Sequence, residues 1–579
     1  MKDLMIGNKA VARGLYEAGC TVISSYPGTP STEITEFAAE YREMHCEWAP
    51  NEKVALEVAF GASLAGARSA CAMKHVGMNV AADPLFTLSY TGVNGGLVIC
   101  VADDPGMHSS QNEQDSRHYA VSAKIPMLEP ADSEECKEFA KAAFELSEKF
   151  DTPVMLRLCT RIAHAQSLVE LCDREERENI KYEKNGAKYI MMPGNAKRRH
   201  PIVEQRTLDI AAFAEASTLN RIEGEGEVGI ITSGTCYQYA KEVFGDTVKI
   251  LKLGMVNPLP TQIIKDFAAS VKKLYVIEEL DPVIENHLSA IGVQIDGGKD
   301  MFSPIGEFSQ EIVAKAFGVA TEKKPAELGD IPMRPPVMCA GCPHRGVFFT
   351  LAKNKVTVLG DIGCYTLGAQ APLSAIDSTL CMGASVSGLH GFNLAGGKAA
   401  EEKSVAVIGD STFLHSGVTG LMNIAYNATN STVIILDNSI TGMTGHQQNP
   451  ATGYNLRGEP AAKIDLEGLC RAVGINRVRV VDPYDLKACD KAIKEELAVE
   501  EPSVIISRRP CVLLKSVKAK PSLIISEKDC RGCRACMKLG CPAISFKNGK
   551  ATIDATLCVG CGVCKQLCAF NAICDGEER

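Results

Sequence analysis

Short runs of consecutive apolar residues, each followed by a stretch of helical spacing, recur along most of this chain of 579 residues. "CTVISSY" (20–26), "SACAMK" (69–74), "GGLVICVAD" (95–103) and "PVMLRL" (153–158) are continuous rather than alternating, as in strands covered on both faces. With the amphipathic segments between them they predict a parallel sheet flanked by helices over 1–175. The opening "KDLMIGNKAVARGLYEAG" reads as one amphipathic helix, and the charged, Gly- and Pro-interrupted stretch 173–205 as a linker carrying "KRR" (197–199) on a solvated loop.

The pattern resumes with "VGIITSG" (228–234), "VKILKLG" (248–254) and "KLYVIEE" (273–279), a second α/β unit over about 200–320. A Pro- and charge-rich connector (321–336) leads to a third over 335–512, where "SVAVIGD" (404–410) and "STVIILDNS" (431–439) are parallel strands that end in polar residues. Ligands of open α/β sheets sit at such carboxyl ends. A helix is expected from about Ser416. The remainder, 520–579, is cysteine-rich and small. The fold class is therefore α/β, three doubly wound units plus a small C-terminal α+β domain, and the length suits three to five domains.

Net charge is −9 without a basic patch, so neither nucleic acid nor a membrane surface is indicated. No apolar run is long enough to cross a bilayer, and the first twenty residues lack a signal-peptide pattern, so a cytoplasmic location is expected. A reducing compartment then asks for another use of 24 cysteines than disulfides. Isolated ones in apolar surroundings are expected as small buried hydrophobes.

Two cysteine runs close the chain. Cys530, Cys533 and Cys536 form C-x2-C-x2-C before Cys541-Pro542, and Cys558, Cys561, Cys564 and Cys568 form C-x2-C-x2-C-x3-C. Zinc sites use C-x2-C pairs rather than triplets. The runs resemble the two-cluster bacterial ferredoxin pattern, in which the fourth cysteine of each run serves the other cluster. That resemblance implies one 4Fe–4S cluster on Cys530, Cys533, Cys536 and Cys568, and a second on Cys558, Cys561, Cys564 and Cys541. The first run is one residue longer than the pattern, Ala569 stands in place of the second proline, and Cys574 is left as a spare thiol.

In the third unit, "GDSTFLHSGVTGLMNIAYNATNSTVIILDNS" resembles the diphosphate and Mg²⁺ motif of thiamine diphosphate enzymes, with Ser411 in the place of the last glycine. The resemblance implies Gly409, Asp410 and Ser411 at the diphosphate, with Asp410, Asn438 and the Ile440 carbonyl on Mg²⁺. Without it, capping and turn roles would account for the same residues. "TGMTGHQ" (441–447), including Thr444, resembles the following loop of ferredoxin-dependent members.

"NEKVALEVAFGASLAGARSACAMKHVG" resembles the segment that carries the pyrimidine-activating glutamate, implying Glu52 in that role with Glu57 as second choice. A carboxylate in a helix's first turn is otherwise a routine dipole partner. "SYPGTPSTE" (25–33) resembles the substrate turn of 2-oxoacid:ferredoxin oxidoreductases, which makes Thr29 a candidate for the substrate carboxylate; a plain turn into a helix capped near Ser31 is the alternative.

"VMCAGCPHRG", "GDIGCYTLG" and "RRPC" supply Cys339, Cys342, Cys364 and Cys511, which the same family uses for a cluster beside the cofactor. Alternatively "CAGCPHR" and "GDIGC" only line the cofactor pocket, with His344, Asp361 and Gly363 as contacts. The whole chain is most similar to the large (alpha) subunits of the indolepyruvate ferredoxin oxidoreductase family. That resemblance implies CoA-dependent oxidative decarboxylation of aryl pyruvates, electrons passed to ferredoxin, a small beta subunit and an α2β2 assembly. A different 2-oxoacid, a non-oxidative thiamine diphosphate decarboxylase with an accessory cluster domain, and a pure electron-transfer module are the competing expectations.

Overall fold

The computed structural model describes residues 1–320, 329–332 and 335–576. It divides into two compact units, Met1–Glu327 and Leu328–Arg579. Most of the expected connector, 321–328 and 333–334, lies outside the described residues.

The first unit holds a seven-stranded sheet in the order Met255–Asn257, Met127–Leu128, Val154–Cys159, Leu97–Asp103, Ser69–Lys74, Val22–Ser25, His45–Trp48. All neighbours are parallel except the first pair. The four continuous apolar runs expected as strands are its centre, and apart from Val22 the residues of these strands are buried on both faces, as a sheet covered by helices requires. A four-stranded sheet (Lys273–Ile277, Val228–Ser233, Lys249–Leu253, Arg221–Glu223) forms the second α/β layer. One hydrophobic core runs from Leu56 and Met73 to Leu251 and Phe267, so the two sheets share an interior.

Three local expectations are corrected. The opening stretch is a strand, Lys2–Ile6, followed by a helix, Gly7–Glu17; the strand pairs antiparallel with Gln166–Glu170. Residues 173–205 do not all form a linker, because Pro193–Ala216 is a helix with Pro193 in its first turn and Pro201 inside it. The "KRR" run lies on that helix rather than on a loop. Arg199 is buried, donating to Tyr90 O (2.6 Å), and Arg206 donates to Ser89 O (2.6 Å) and Asp151 O (2.8 Å). Its basic residues face main-chain carbonyls, which hydrophobic periodicity does not register.

The second unit is built on a five-stranded parallel sheet, Thr357–Leu359, Ser404–Gly409, Thr432–Asp437, Ser503–Arg508, Arg477–Val481. Val405 and Val407 feed one core and Ala406 and Ile408 the other, the period of two expected of a strand sandwiched between helix layers. After Gly409 the chain turns helical at once: Asp410–Thr412, a π-turn over Phe413–Gly417, then Val418–Asn427. The helix expected from Ser416 thus begins at Asp410. The cysteine-rich tail consists of two small antiparallel pairs, Leu523–Ile525 with Ile573–Asp575 and Ile544–Lys547 with Lys550–Ile553. Its core includes Leu486 of the helix Leu486–Leu497, which docks the tail on the larger sheet domain.

Nine of the isolated cysteines, from Cys20 to Cys489, are buried as expected, whereas Cys172 and Cys381 are exposed. Among the described residues no helix is long and apolar enough to cross a membrane.

Candidate functional site

In the first unit the candidate residues gather at the carboxyl ends of the parallel strands. Glu52 opens the helix Glu52–Leu64, and the preceding Asn51 caps it by accepting from Val54 N at 2.9 Å. Glu52 is 4% exposed. Its carboxylate packs on Gly77, where an added methyl would lie 2.6 Å from Oε1. Glu57, the second choice, is exposed and paired with Lys53, because five residues along a helix lead to another face; it cannot serve a buried site.

Thr29 is half-buried in the turn between Val22–Ser25 and the helix Thr32–Ala38. Ser31 does not cap that helix with its hydroxyl; Oγ turns back to Gly28 O at 2.8 Å, and Asn8 Nδ2 donates to Pro30 O at 2.7 Å. The turn is thereby fixed from both sides.

Two residues at this strand edge had no place among the sequence candidates. Lys74, last in the strand Ser69–Lys74, is 9% exposed, and its stem packs on Gly28. Burial pushes its ammonium below the usual lysine range, opposed by the carboxylates of Asp104 and Glu52. His75 is fully buried, with Nε2 3.2 Å from Asn112 O, and Nδ1 has no hydrogen-bond partner among the described residues. Burial lowers its pKa, which favours the neutral ring. A charged residue at the end of an otherwise uncharged, fully buried strand is the one signal that marks Lys74.

In the second unit Asp410 and Asn438 follow adjacent strands, and both are buried. In one orientation the Asn438 amide nitrogen donates to Ile440 O (2.7 Å) and Asp410 Oδ1 (3.1 Å). In the other its carbonyl oxygen occupies that position, 2.7 Å from Ile440 O and 3.1 Å from Asp410 Oδ1, spacings that oxygens sharing one Mg²⁺ at about 2.0–2.1 Å would have. Burial, with Asp437 nearby, raises the Asp410 carboxyl to about 7. A cation beside this buried carboxyl would favour its ionised form, and the all-oxygen donor set fits Mg²⁺. Ser411 Oγ accepts from Thr441 Oγ1 (2.9 Å), joining the motif to the loop that follows it.

Around this trio, His344 Nε2 lies 3.4 Å from Asn438 Nδ2, and burial depresses the imidazole to about 4. Asp361 accepts from the main-chain N–H groups of Ile362, Gly383 and Ser385 at 2.9–3.0 Å. Gly363 and Gly409 both lie against the Tyr365 ring, which leaves neither room for a side chain. Thr444 hydrogen-bonds Gln447 within the 441–447 loop (2.6 Å), and Gly442 of that loop packs against Cys364 Sγ.

The four non-tail cysteines of interest approach one another. Burial pushes Cys342 up to about 12 and Cys364 up to about 11, and in both cases neighbouring thiols of the set add to the effect. Cys511 N donates to Asn438 O (2.9 Å), and its Sγ lies 4.0 Å from His446 Nε2. In the tail one cavity is lined by Cys530, Cys533, Cys536 and Cys568. A second is lined by Cys541, Cys558, Cys561 and Cys564, together with Ala340, Gly341 and Cys342. Arg345 spans the junction, donating to Leu539 O (2.8 Å), Gly540 O (2.7 Å) and Cys339 O (3.3 Å). Cys574 lies outside both cavities, on the strand Ile573–Asp575. Among the described residues no three His, Cys, Asp or Glu side chains form a group for a single metal ion.

Residues 13–221 match the family model for pyruvate flavodoxin/ferredoxin oxidoreductase, thiamine diphosphate-binding. Residues 361–507 match that for the C-terminal binding domain of thiamine pyrophosphate enzymes. Indolepyruvate oxidoreductase subunit IorA of Archaeoglobus fulgidus is 40% identical over 612 aligned positions, covering 99% of this chain and 97% of the relative. The protein of the same name from Thermococcus kodakarensis is 41% identical over 623 positions, covering 98% and 96%. The 2-oxoglutarate synthase subunit KorA of A. fulgidus is 26% identical over 322 positions, covering 48% of this chain and 88% of its own length.

Proposed function

Since the chain belongs to the IorA family of indolepyruvate oxidoreductase subunits, we propose that this oxidoreductase subunit decarboxylates aryl pyruvates oxidatively, yielding the aryl-acetyl-CoA and CO2. The observation that carries the oxidative reading is the shared cavity: Cys541, Cys558, Cys561 and Cys564 line it together with the C-A-G-C loop of the cofactor domain. A non-oxidative decarboxylase has no use for a thiol-lined cavity against its cofactor domain.

Thiamine diphosphate, when bound, would supply nucleophilic carbon chemistry at the 2-oxo group and an electron sink for loss of CO2. The chain's own residues supply the rest. Asp410, Asn438 and the Ile440 carbonyl would hold Mg²⁺, and Gly409 and Ser411 would border the diphosphate. Glu52 holds the proton at the aminopyrimidine, where burial keeps water from competing for the carboxylate. Thr29 orients the substrate carboxylate. His344, neutral at working pH, Asp361, Gly363 and Thr444 shape the cofactor pocket. Cys530, Cys533, Cys536 and Cys568 would hold one 4Fe–4S cluster and Cys541, Cys558, Cys561 and Cys564 another, the latter set sharing its cavity with the C-A-G-C loop. Cys339, Cys342, Cys364 and Cys511 would hold a third. The division of labour follows a pyrimidine domain (1–175), a transketolase C-terminal-like domain (200–320), a diphosphate domain (335–512) and the tail (520–579).

The relatives are named as subunits, and a small beta subunit completing an α2β2 enzyme, with ferredoxin as acceptor, belongs to the same reading. The test is anaerobic co-expression with that partner, followed by ferredoxin or viologen reduction with indolepyruvate or phenylpyruvate. Reduction that requires both 2-oxoacid and CoA is expected. Aldehyde release without dye reduction would overturn the oxidative reading.

A further inference from the structure

Any 2-oxoacid brings a full negative charge next to its reactive carbonyl, and this strand edge already carries two carboxylates, Glu52 and Asp104. Asp104 accepts from Ser109 N (2.8 Å), Ser110 Oγ (2.7 Å) and Thr160 Oγ1 (2.7 Å); these bonds outweigh its burial and hold its pKa below the usual value. A substrate carboxylate entering here meets repulsion unless a cation is within reach. Thr29, with one hydroxyl and no charge, cannot supply it.

We propose that Lys74 is the cationic half of the substrate-carboxylate subsite, acting with Thr29, and this assignment rests on the function proposed above. The strand Ser69–Lys74 runs parallel to Val22–Ser25, with Ala72 opposite Ser25, so Lys74 ends beside the 26–30 turn. A methyl added at Gly28 would lie 3.2 Å from Lys74 Cγ, so the lysine stem lies against the residue that precedes Thr29. On its other side the chain continues into His75–Val80, whose Gly77 packs on Glu52. Lys74 therefore lies between the substrate turn and the activating glutamate.

Its ammonium donates to a main-chain carbonyl, Ser109 O at 2.8 Å. An ammonium has three donors, so a carboxylate can be taken without giving up that anchor. Ser109 belongs to the segment that Asp104 organises, so the anchor is itself fixed by Asp104. A charge this buried costs stability, and the nearby carboxylates of Asp104 and Glu52 offset part of that cost by favouring the charged form. As a point charge rather than a planar fork, lysine also leaves the aryl end of the substrate free to be selected by other groups.

The test compares wild-type holoenzyme with Lys74→Met and Lys74→Arg, each assembled with the partner subunit. KM and kcat for phenylpyruvate, KM for CoA, and bound thiamine diphosphate are measured. In K74M the KM for phenylpyruvate is expected to rise roughly 10- to 150-fold, the worth of a charged hydrogen bond. The fall in kcat should be smaller, with KM for CoA and thiamine content unmoved. K74R should recover part of the affinity. A phenylpyruvate KM in K74M within twofold of wild type would overturn the assignment, as would a parallel rise in the CoA KM or loss of thiamine diphosphate. If K74M does not accumulate as holoenzyme, inhibition of the wild type by 3-phenylpropionate and by its uncharged amide decides. At least tenfold weaker inhibition by the amide, together with an intermediate KM in K74R, supports the subsite, and equal inhibition overturns it. Wild-type enzyme that reduces no dye with any 2-oxoacid refutes the proposed function and this inference together. An active wild type with an unmoved K74M refutes this inference alone.

Discussion

In the tail, Cys530, Cys533 and Cys536 share one short run, and the structure sets them around one cavity with Cys568. Around Glu52, by contrast, Thr29, Glu52, Lys74 and Asp104 come from separate segments and meet only because four parallel strands end side by side. The tail buries few apolar residues of its own and leans on Leu486, whereas the Glu52 site rests on a core shared by two sheets. Soft-ligand chemistry can be specified by spacing along a loop; a buried carboxylate needs a fold to exclude water around it.

If that contrast holds, the two regions should fail independently. The largest effect is expected from Glu52→Gln, which keeps the shape and removes the proton acceptor: kcat for CoA-dependent dye reduction should fall about 10²–10⁴-fold, with iron content unchanged. Cys541→Ser should do the reverse, with about four irons fewer per chain by chemical assay and EPR while thiamine diphosphate binding persists. Loss of thiamine diphosphate in that variant would show that the regions are not separable.

Gly77→Ala sharpens the same contrast, since it alters no chemical group. The added methyl would lie 2.6 Å from Glu52 Oε1 and 2.7 Å from its Cγ, so the carboxylate must shift. Overpacking of this kind costs about 1–3 kcal/mol, and a fall in kcat larger than any loss of thermal stability would show that packing, not the glutamate alone, sets the site.

The smallest effect concerns the background charge of the first unit. Burial raises Glu279 to about 7, although it accepts from Phe308 N at 2.8 Å. Its folded pKa lies above its unfolded value, so its contribution is complete below about 4.5 and is lost as pH rises through about 7, at most about 3 kcal/mol. Glu279→Gln keeps the acceptor and cannot ionise. Calorimetry should show a higher Tm than wild type at pH 8 and little difference at pH 5.

Much of this architecture was legible along the chain. The central strands of all three sheets stand where continuous apolar runs predicted them, because a strand buried on both faces leaves no polar position to confuse its reading. Legibility failed where burial is bought by hydrogen bonds instead of apolar side chains. The helix Pro193–Ala216 looked like a linker because Arg199 and Arg206 spend their charge on carbonyls of the neighbouring layer. Likewise Asp410 begins its helix directly after the strand, through a π-turn at Phe413–Gly417 that residue spacing does not announce.

By itself the sequence determined the α/β class, the strand ends where chemistry can gather and the two cysteine sets of the tail, since each depends on local composition and spacing. Only the tertiary structure separated Glu52, which is buried, from Glu57, which is exposed, because they lie on different faces of one helix. It also brought the Ile440 carbonyl to Asp410 and Asn438, and set the C-A-G-C loop against the tail. Lys74 entered the site in the same way. Its residue type says nothing about substrate; its place between the Thr29 turn and Glu52 exists only once parallel strands are laid side by side.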